Sequence, residues 1–412
     1  MMTPSCRFCN APLTTTFVDL GAQPLANSYL TACQVAAGAE ARYPLHARVC
    51  TECWLIQVDD VVPAKAIFNA GYAYFSSYSR TWVEHARRYA ESMSDRLKLG
   101  PESLVIEVAS NDGYLLQHFV AMRIPVLGIE PTTNTAEAAR ARGVRTEVQF
   151  FDEVSAAALA RRGVRADLIV ANNVLAHVPD IAGFVGGFRY VLKDEGVLTF
   201  EFPHVLNLIN KVQFDTIYHE HFSYLSLLSV EPILRSKGLR SFDVELIPTH
   251  GGSLRLFCGH VHSGHQETRA LAAVRDNESA AELDRLETYR GFAPRVESVR
   301  RSFRDYLAGA LSTGRRVTAY GAAAKGNTFL NYCGVSASEI IAVFDANPAK
   351  QGRFLPGSHI PIHAPEHLLR LQPDDVVILP WNLAEEITRQ LGSVKGWGGR
   401  FVLATPYTRI LP

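Results

Sequence analysis

Apolar and polar positions change their rhythm several times along the chain. From Leu104, short apolar runs alternate with helix-period stretches: LVIEV, PVLGIE, ADLIVANNV and GVLTFEFP. Such alternation implies βαβ crossovers and a mostly parallel sheet covered by helices on both faces. It resumes in VTAYGAAAKGN, IIAVFDANP and DVVILPWN, which predicts a second α/β unit. Ahead of the first unit, TWVEHARRYAESMSDRLKL spaces Trp82, Ala86, Tyr89, Met93 and Leu97 three and four apart, the mark of an amphipathic helix. Between about Gln266 and Thr313 the chain turns charged, yet Val296, Val299, Phe303 and Leu307 keep one apolar face, and the Arg-rich face opposite reads as solvated. The stretch up to Ser79 reads as short strands and turns. These changes divide the chain into 1–79, 80–265 with a helical connector at 80–99, and 266–412.

A length of 412 residues fits two to three domains. The 41 Lys plus Arg balance 41 Asp plus Glu, so no global field draws the chain to nucleic acid or to an anionic membrane, and an anionic ligand must be held locally. No run approaches the length of a membrane span, and MMTPSCRFCN lacks the pattern of a signal peptide, so a cytoplasmic protein is expected. Oligomeric state is open, with a monomer plausible. Seven cysteines, an odd count without secretory context, point to metal binding or buried thiols rather than a disulfide framework.

Five of those cysteines lie in the first region. CRFC (Cys6, Cys9) and CTEC (Cys50, Cys53) form two knuckles whose paired thiolates can close a tetrahedral site. Four thiolates leave no open position, so the zinc expected there is structural. A thioredoxin-like redox pair is the alternative, disfavoured because neither CxxC follows a strand in a βαβ pattern. Cys33, Cys258 and Cys333 are expected to be buried small hydrophobes.

LVIEVASNDGYLLQHF places a buried strand before Glu107, then a polar turn from Ala109 through Ser110, Asn111 and Asp112 to Gly113, then a helix. Such a junction aims backbone N–H groups at a ligand. Seventeen positions beyond Gly113, Glu130 ends the next strand, where an acid can take both hydroxyls of a ribose. A turn with a single glycine disfavours NAD and instead resembles the S-adenosylmethionine site of class I methyltransferases. Asn172 and Asn173, closing ADLIVANN, would then line the pocket mouth beside Ala171, with His177 opening the next helix; as residue types they are equally ordinary strand-end turn formers. YHEHFSY, Tyr218 to Tyr224, leaves three readings open: a metal pair in His219 and His221, an acid/base constellation, or a satisfied aromatic strand. If extended, it would turn Tyr218, Glu220 and Phe222 to one face and the two histidines to the other.

The order of a CxxC…CxxC region, GYAYFSSYS, EVASNDG, IEP, ANNVLAHVPD, EFP, YHEHFSYLS and HGGSLR resembles the deoxysugar C-methyltransferases that act on nucleotide-linked keto sugars, among them the C-3 methyltransferase of tetronitrose biosynthesis. The resemblance spans nearly the whole chain. It implies an α/β protein with a small N-terminal zinc-binding domain, a class I methyltransferase Rossmann-like domain and a C-terminal Rossmann-like lobe. It also implies methylation, by S-adenosylmethionine, of a carbon beside the ketone of a dTDP-hexose, a reaction that needs a base to form an enolate and a donor to meet its charge.

On that resemblance His221 is the favoured base, with Glu220 and Tyr218 orienting it or contacting the sugar, His177 a second catalytic candidate, and His219 structural. GYAYFSSYS, by itself an ordinary edge strand, is implied to fold over the cofactor, making Tyr72 and Ser77 cofactor contacts and Tyr74 an acceptor contact. Glu107, Ala109, Asn111, Gly113, Glu130, Pro131, Asn172 and Asn173 complete the expected cofactor site. Phe222 joins the substrate side. His250, Ser253 and Arg255 of HGGSLR could hold a sugar or pyrophosphate, although a bulged strand with a solvated Arg fits the residues equally.

In the C-terminal unit, Gly321 and Gly326 bracket Lys325, and Asp345 ends a strand nineteen positions past Gly326. A lone GxxxxG without the Lys-Ser/Thr pair of a P-loop is weak evidence for a nucleotide. The unit is either a structural lobe or a wall whose Lys325 faces the nucleotide sugar. Two rival readings stand beside the methyltransferase: an NAD-dependent oxidoreductase or epimerase using this unit, and a zinc-ribbon interaction protein without turnover.

Overall fold

Three β-sheets follow one another along the chain in a computed structural model that describes residues 4–38, 40–59, 61–63 and 75–412. The first is built from β1 (Thr15–Gln23), β2 (Tyr43–Val49) and β3 (Ile56–Val58), an antiparallel meander with the two CxxC knuckles before β1 and between β2 and β3. A helix at Arg80–Leu97 leads to the second sheet. Ser79 caps it by accepting the Trp82 N–H, and its predicted face buries Ala86, Tyr89 and Met93. The Tyr89 hydroxyl meets Thr199 Oγ1 at 2.6 Å on the sheet beneath.

The second sheet takes β4 (Val105–Val108), β5 (Val126–Ile129), β6 (Thr146–Glu147), β7 (Ala166–Asn172) and β8 (Leu192–Pro203). The chain then contributes β9 (Ser223–Tyr224), β10 (Leu239–Ile247) and β11 (Ser253–His260). The strand order is β10-β11-β8-β7-β4-β5-β6, with β11 antiparallel to both neighbours and β4 to β8 parallel. From β4 the chain winds outward to β5 and β6, then returns to β7 on the other side. That reversal opens a crevice at the carboxyl ends of β4 and β7, the place where ligands bind in open α/β sheets.

β9 does not join this sheet. It pairs with the free edge of β3, Ile56 opposite Tyr224, so the second region completes the sheet of the first. The division at residue 79 therefore crosses a hydrogen-bonded sheet, and β3 gains a partner for an edge otherwise left open.

Helices at Arg269–Ala280, Leu286–Arg290 and Phe292–Ser312 lead to the third sheet. Its strands are β12 (Val317–Tyr320), β13 (Val343–Phe344), β14 (Ile362–His363), β15 (Asp375–Ile378), β16 (Arg400–Leu403) and β17 (Arg409–Ile410), ordered β14-β13-β12-β15-β16-β17 and parallel except for β17. Val296, Val299, Phe303 and Leu307 are buried, as their spacing requires. Phe292 stacks on Phe17 at 4.3 Å and Tyr289 on Trp54 at 5.8 Å, which clamps the linking helices to the first sheet. Among the described residues no helix is long and apolar enough to cross a membrane.

Phe17→Ala would open a cavity at this clamp. Removing a fully buried phenylalanine costs about 3–5 kcal/mol, so the variant should unfold at clearly lower denaturant, read by circular dichroism; an unchanged midpoint would mean the clamp contributes little.

Candidate active site and metal centre

The four sulfurs of Cys6, Cys9, Cys50 and Cys53 lie within 4.8 Å of one another, with Cys6–Cys53 at 3.6 Å and Cys9–Cys50 at 3.4 Å. Four ligands about 2.3 Å from a tetrahedral zinc have sulfurs about 3.8 Å apart, so the quartet fits that ion. The sulfurs also crowd one another: a hydrogen bond from Cys53 pulls Cys6 down, while the same bond pushes Cys53 up. A divalent cation is what lets such a group ionise together. Gln57 links the site to its surroundings, its amide N–H on Cys6 Sγ at 3.2 Å and its oxygen on the Arg7 N–H at 2.9 Å. Cys258 and Cys333 are buried thiols; Cys33 is exposed, because its helix at Ala32–Ala37 buries no residue.

At the crevice, Ala109, Asn111 and Gly113 all have positive φ (59°, 49° and 77°), and Asn173 across from them has φ 52°. Left-handed backbone costs an alanine of order 1–3 kcal/mol, and its concentration at a ligand crevice is typical of functional turns. Glu130 is buried where β5 ends, just before the half-buried Pro131. Its Oε2 accepts the Asn111 N–H at 2.9 Å, and its Oε1 accepts both the Thr132 N–H at 2.9 Å and the Thr132 hydroxyl, which orients the carboxylate and leaves a lone pair on Oε2. Around it, Ser110 Oγ, Glu107 Oε2, Asn172 Oδ1 and both side-chain polar atoms of Asn173 are buried without a partner. Burial also holds the Glu107 carboxyl well above its ordinary range, opposed by a hydrogen bond from Tyr114. Unpaired donors and acceptors beside an oriented acid fit a nucleoside bearing an amino-acid tail, which is the chemistry of S-adenosylmethionine.

Ser77 takes a different part from that expected. Its hydroxyl bonds to Asp112 Oδ2, and Arg142 bonds both, at 2.8 Å to Ser77 Oγ and 3.0 Å to Asp112. With the Ser76 N–H on Asn111 Oδ1 at 2.9 Å, these bonds tie residues 76–77 to the β4 turn. Tyr72 and Tyr74 lie outside the described residues.

YHEHFSY is not extended. The His221 N–H donates to the Tyr218 carbonyl at 2.9 Å, closing a turn that sets both side chains on one side. Tyr218 Oη lies 2.7 Å from His221 Nε2, and His221 Nδ1 lies 2.8 Å from the Thr216 carbonyl. A carbonyl only accepts, so Nδ1 carries the proton and Nε2 presents its lone pair to the tyrosine hydroxyl. Burial first, then His177, holds the His221 pKa well below 6.5. The His177 ring meets His221 edge-on at 4.7 Å; His177 closes a short 3-10 turn, ahead of the next helix rather than at its start. Burial lowers its pKa to about 4, opposed by a bond to the Glu220 carbonyl.

Glu220 does not touch His221. Its two oxygens accept from the Asn27 amide at 2.8 and 2.9 Å, because the turn points it toward the first region. His219 faces the Pro44 carbonyl at 3.1 Å and Phe222 is buried beneath the Arg7 guanidinium at 5.3 Å, so neither histidine pairing nor a sugar contact from Phe222 is available.

The HGGSLR residues separate. His250, at φ 53°, meets the Trp82 ring edge-on at 5.3 Å, and burial lowers its pKa to about 4, with Lys325 the next influence. Ser253 instead donates to the Thr249 carbonyl at 2.9 Å, closing its own turn. Arg255 is neither solvated nor free for an anion: it pairs with Glu201 at 3.0 Å and Glu245 at 2.8 Å and lies over the Tyr89 ring. Glu201 also accepts from His85 at 3.0 Å and Thr249 at 3.0 Å. Burial works to raise its carboxyl, and His85 and Arg255 together more than offset that.

Lys325 bonds to Asn382 at 2.7 Å and sits over Trp381, whose indole N–H donates to the buried Asp215 at 2.6 Å. Burial lifts Asp215 to about 6, with Lys325 opposing, and burial lowers Lys325. The turn after β12 is closed differently: Asp345 accepts the Ala322 N–H at 2.7 Å and the Asn347 N–H at 2.8 Å and lies 3.7 Å from Lys350, so the acid that would take a dinucleotide's ribose is already engaged. Sequence reasoning missed Asn27, Asp215, Trp381 and the His85–Glu201 pair; of these only Glu201 carried a cue, an acid at the carboxyl end of a strand.

Comparison with known proteins also finds three parts, the third beginning at residue 248 rather than 266. Residues 6–68 match a zinc binding domain, 82–242 a methyltransferase domain and 248–406 a C-methyltransferase C-terminal domain. Over 407 residues the chain is 35% identical to the C-methyltransferase NovU of Streptomyces niveus, covering 98% of this chain and 96% of that protein. It is 23% identical over 158 residues to the ubiquinone biosynthesis O-methyltransferase of Rhodopseudomonas palustris strain BisA53, 33% of this chain and 62% of that one. Among solved structures, the magnesium protoporphyrin IX methyltransferase of Synechocystis PCC 6803 with bound S-adenosylmethionine aligns at 15% identity and a TM-score of 0.32, over 43% of this chain and 80% of that one.

Metal analysis of purified protein should give about one zinc per chain. Cys53→Ser should lower that content and expose the first region to protease; full zinc retention would mean the quartet is not the site.

Proposed function

The chain belongs to the C-methyltransferase family, whose cofactor is S-adenosylmethionine, and from that premise we propose that it methylates the carbon beside the ketone, C-3, of a dTDP-4-keto-deoxyhexose in deoxysugar biosynthesis. The observation that carries the reading is His221, whose Nε2 lone pair is presented next to the crevice while its Nδ1–H is tied to Thr216. S-adenosylmethionine supplies an electrophilic methyl carbon there. His221 Nε2 takes the proton from C-3 of the sugar, and the C–H electron pair passes into the enolate. For this the Tyr218 hydroxyl turns away from Nε2, and it then donates to the ketone oxygen as charge develops, so one rotation frees the base and supplies the oxyanion donor. The Thr216 carbonyl steadies the imidazolium through Nδ1–H.

Glu130 accepts from the cofactor's ribose with the lone pair left on Oε2, and Asn172 and Asn173 take the amino-acid end. Glu107, Ala109, Asn111, Gly113 and Pro131 shape the same crevice, and Ser77 acts by holding the segment above it. On the acceptor side Lys325 and His250 face the anionic diphosphate from opposite walls. His177 packs against the base and keeps water from it. The stretch at 26–30, bonded to Ala322 and Asn327 at the edge of β12, argues against the NAD-dependent alternative.

Labelled S-adenosylmethionine incubated with a panel of dTDP-keto sugars tests the reading: methyl incorporation at carbon is expected, and none across the panel would overturn it. Glu130→Ala should weaken S-adenosylhomocysteine binding by about tenfold or more, measured by calorimetry, since hydrogen bonds to a charged group are lost. His221→Asn should leave that binding intact and slow turnover about 10²- to 10⁴-fold; near-normal turnover would move the base elsewhere. Because its pKa is lowered, His221 stays unprotonated as pH falls past 6.5, so the acid limb attributable to it in kcat/KM should lie below that value.

A further inference from the structure

Residues 26–30 form a bridge that the proposed chemistry does not use. The Ala26 carbonyl accepts from the Asn327 amide at 2.6 Å, the Tyr29 hydroxyl donates to the Ala322 carbonyl at 2.5 Å, and Leu30 exchanges backbone bonds with Phe354 at 2.9 and 3.0 Å. The Lys350 ammonium lies over the Tyr29 ring at 5.2 Å. The loop is thus fastened to the carboxyl edge of β12, the crevice where a Rossmann-like unit would otherwise take a ligand. From it Asn27 reaches across to Glu220, its single amide nitrogen donating to both carboxylate oxygens.

Glu220 is 5% exposed, and among the described residues it forms no ion pair with a lysine or arginine. A buried carboxylate without a cation is costly unless its hydrogen bonds are made. Around it stand the Tyr29 hydroxyl, the His177 ring on its own carbonyl, and its chain neighbours His219 and His221. It is also an inner residue of the turn that sets Tyr218 beside His221. The Asn27 bonds thus tie this turn to the first region.

We propose that Asn27 is a positioning residue for methyl transfer: its amide fixes the Glu220 carboxylate, and through it the turn that presents Tyr218 and His221. This rests on the reading of His221 as base. Burial lifts the Glu220 carboxyl to about 7, and the Asn27 amide is the hydrogen bond that opposes the rise. Removing it lets the carboxyl rise further, so that near neutrality Glu220 takes up a proton and no longer holds one orientation.

The experiment has two arms on the full-length, zinc-loaded protein. In the first, the carboxyl band of Glu220, identified by its loss in Glu220→Gln, is followed by infrared difference spectroscopy as pH is varied. In Asn27→Leu the midpoint should move up by about one pH unit or more, a tenfold change in proton affinity; an unmoved midpoint overturns the proposal. Asn27→Ser, too short to reach and gentler on folding, should behave alike. In the second arm, kcat of Asn27→Leu on a keto sugar should fall with S-adenosylmethionine affinity unchanged, and the loss should vanish in a Glu220→Gln background. Full additivity overturns the proposal, because it would make Asn27 a purely structural anchor. Failure of every keto sugar with the unaltered enzyme would sink the substrate reading instead, while the infrared arm would still decide the Asn27–Glu220 link.

Discussion

The segment from Phe214 to Tyr224 carries more buried polar groups than any one part of the protein could satisfy, and the way they are shared sets the relation of all three sheets. Asp215 takes the Trp381 indole from the third region, His219 takes the Pro44 carbonyl from the first, and Glu220 takes Asn27. β9 then pairs with β3. Leaving such groups unpaired costs on the order of 1–3 kcal/mol each, so the bonds that this one segment makes to each of the three lobes tie them together. The consequence reaches the chemistry: the Tyr218–His221 pair sits in a turn whose two flanks belong to different lobes.

Burial sets the electrostatic character of the groups around that segment. Burial pushes acids up and bases down together: Glu220 and Glu107 rise while His177, His250, His221 and Lys325 fall. The histidines are thereby kept neutral at ordinary pH, which a proton acceptor requires. Clusters of oppositely shifted groups are expected at functional sites. Glu201 is the exception. His85 and Arg255 fix it as a carboxylate, and its role is to lock β8 to β11 and to the connector helix rather than to titrate.

Features set by short-range geometry were legible in the sequence. The spacing of Cys6, Cys9, Cys50 and Cys53, the apolar face of the helix at Arg80–Leu97 and the alternation that built two α/β units each depend on contacts within a few residues or on a simple period. The strand-end positions of Glu130 and Asn172 were legible for the same reason. What failed was inference from residue type to surroundings. Arg255 looked suited to an anion, but its neighbours are two carboxylates; Phe222 looked exposed to a sugar, but Arg7 covers it. YHEHFSY is rich in strand-forming types, yet the hydrogen bond from His221 to Tyr218 makes its first four residues a turn, which breaks the expected alternation of facing, and only Ser223 and Tyr224 pair as strand. Asn27 lies 193 positions from Glu220, and no local pattern announces such a pairing.

The third lobe shows how a ligand-binding architecture can become a wall. Its strand-turn-helix junction keeps Gly321 at φ 88° and an acid at the end of the next strand, the outline of a nucleotide site. A Cβ at Gly321 would lie 2.4 Å from Pro380, so that glycine is kept for close packing rather than for approach by a phosphate. Asp345 and Lys350 close the turn upon itself, and the loop at 26–30 fills the edge above it. Lys325 instead lies over Trp381, whose indole N–H bonds to Asp215. The lobe's binding edge has thus been given over to the protein's own chain, as the bonds of residues 26–30 to Ala322, Asn327 and Phe354 show.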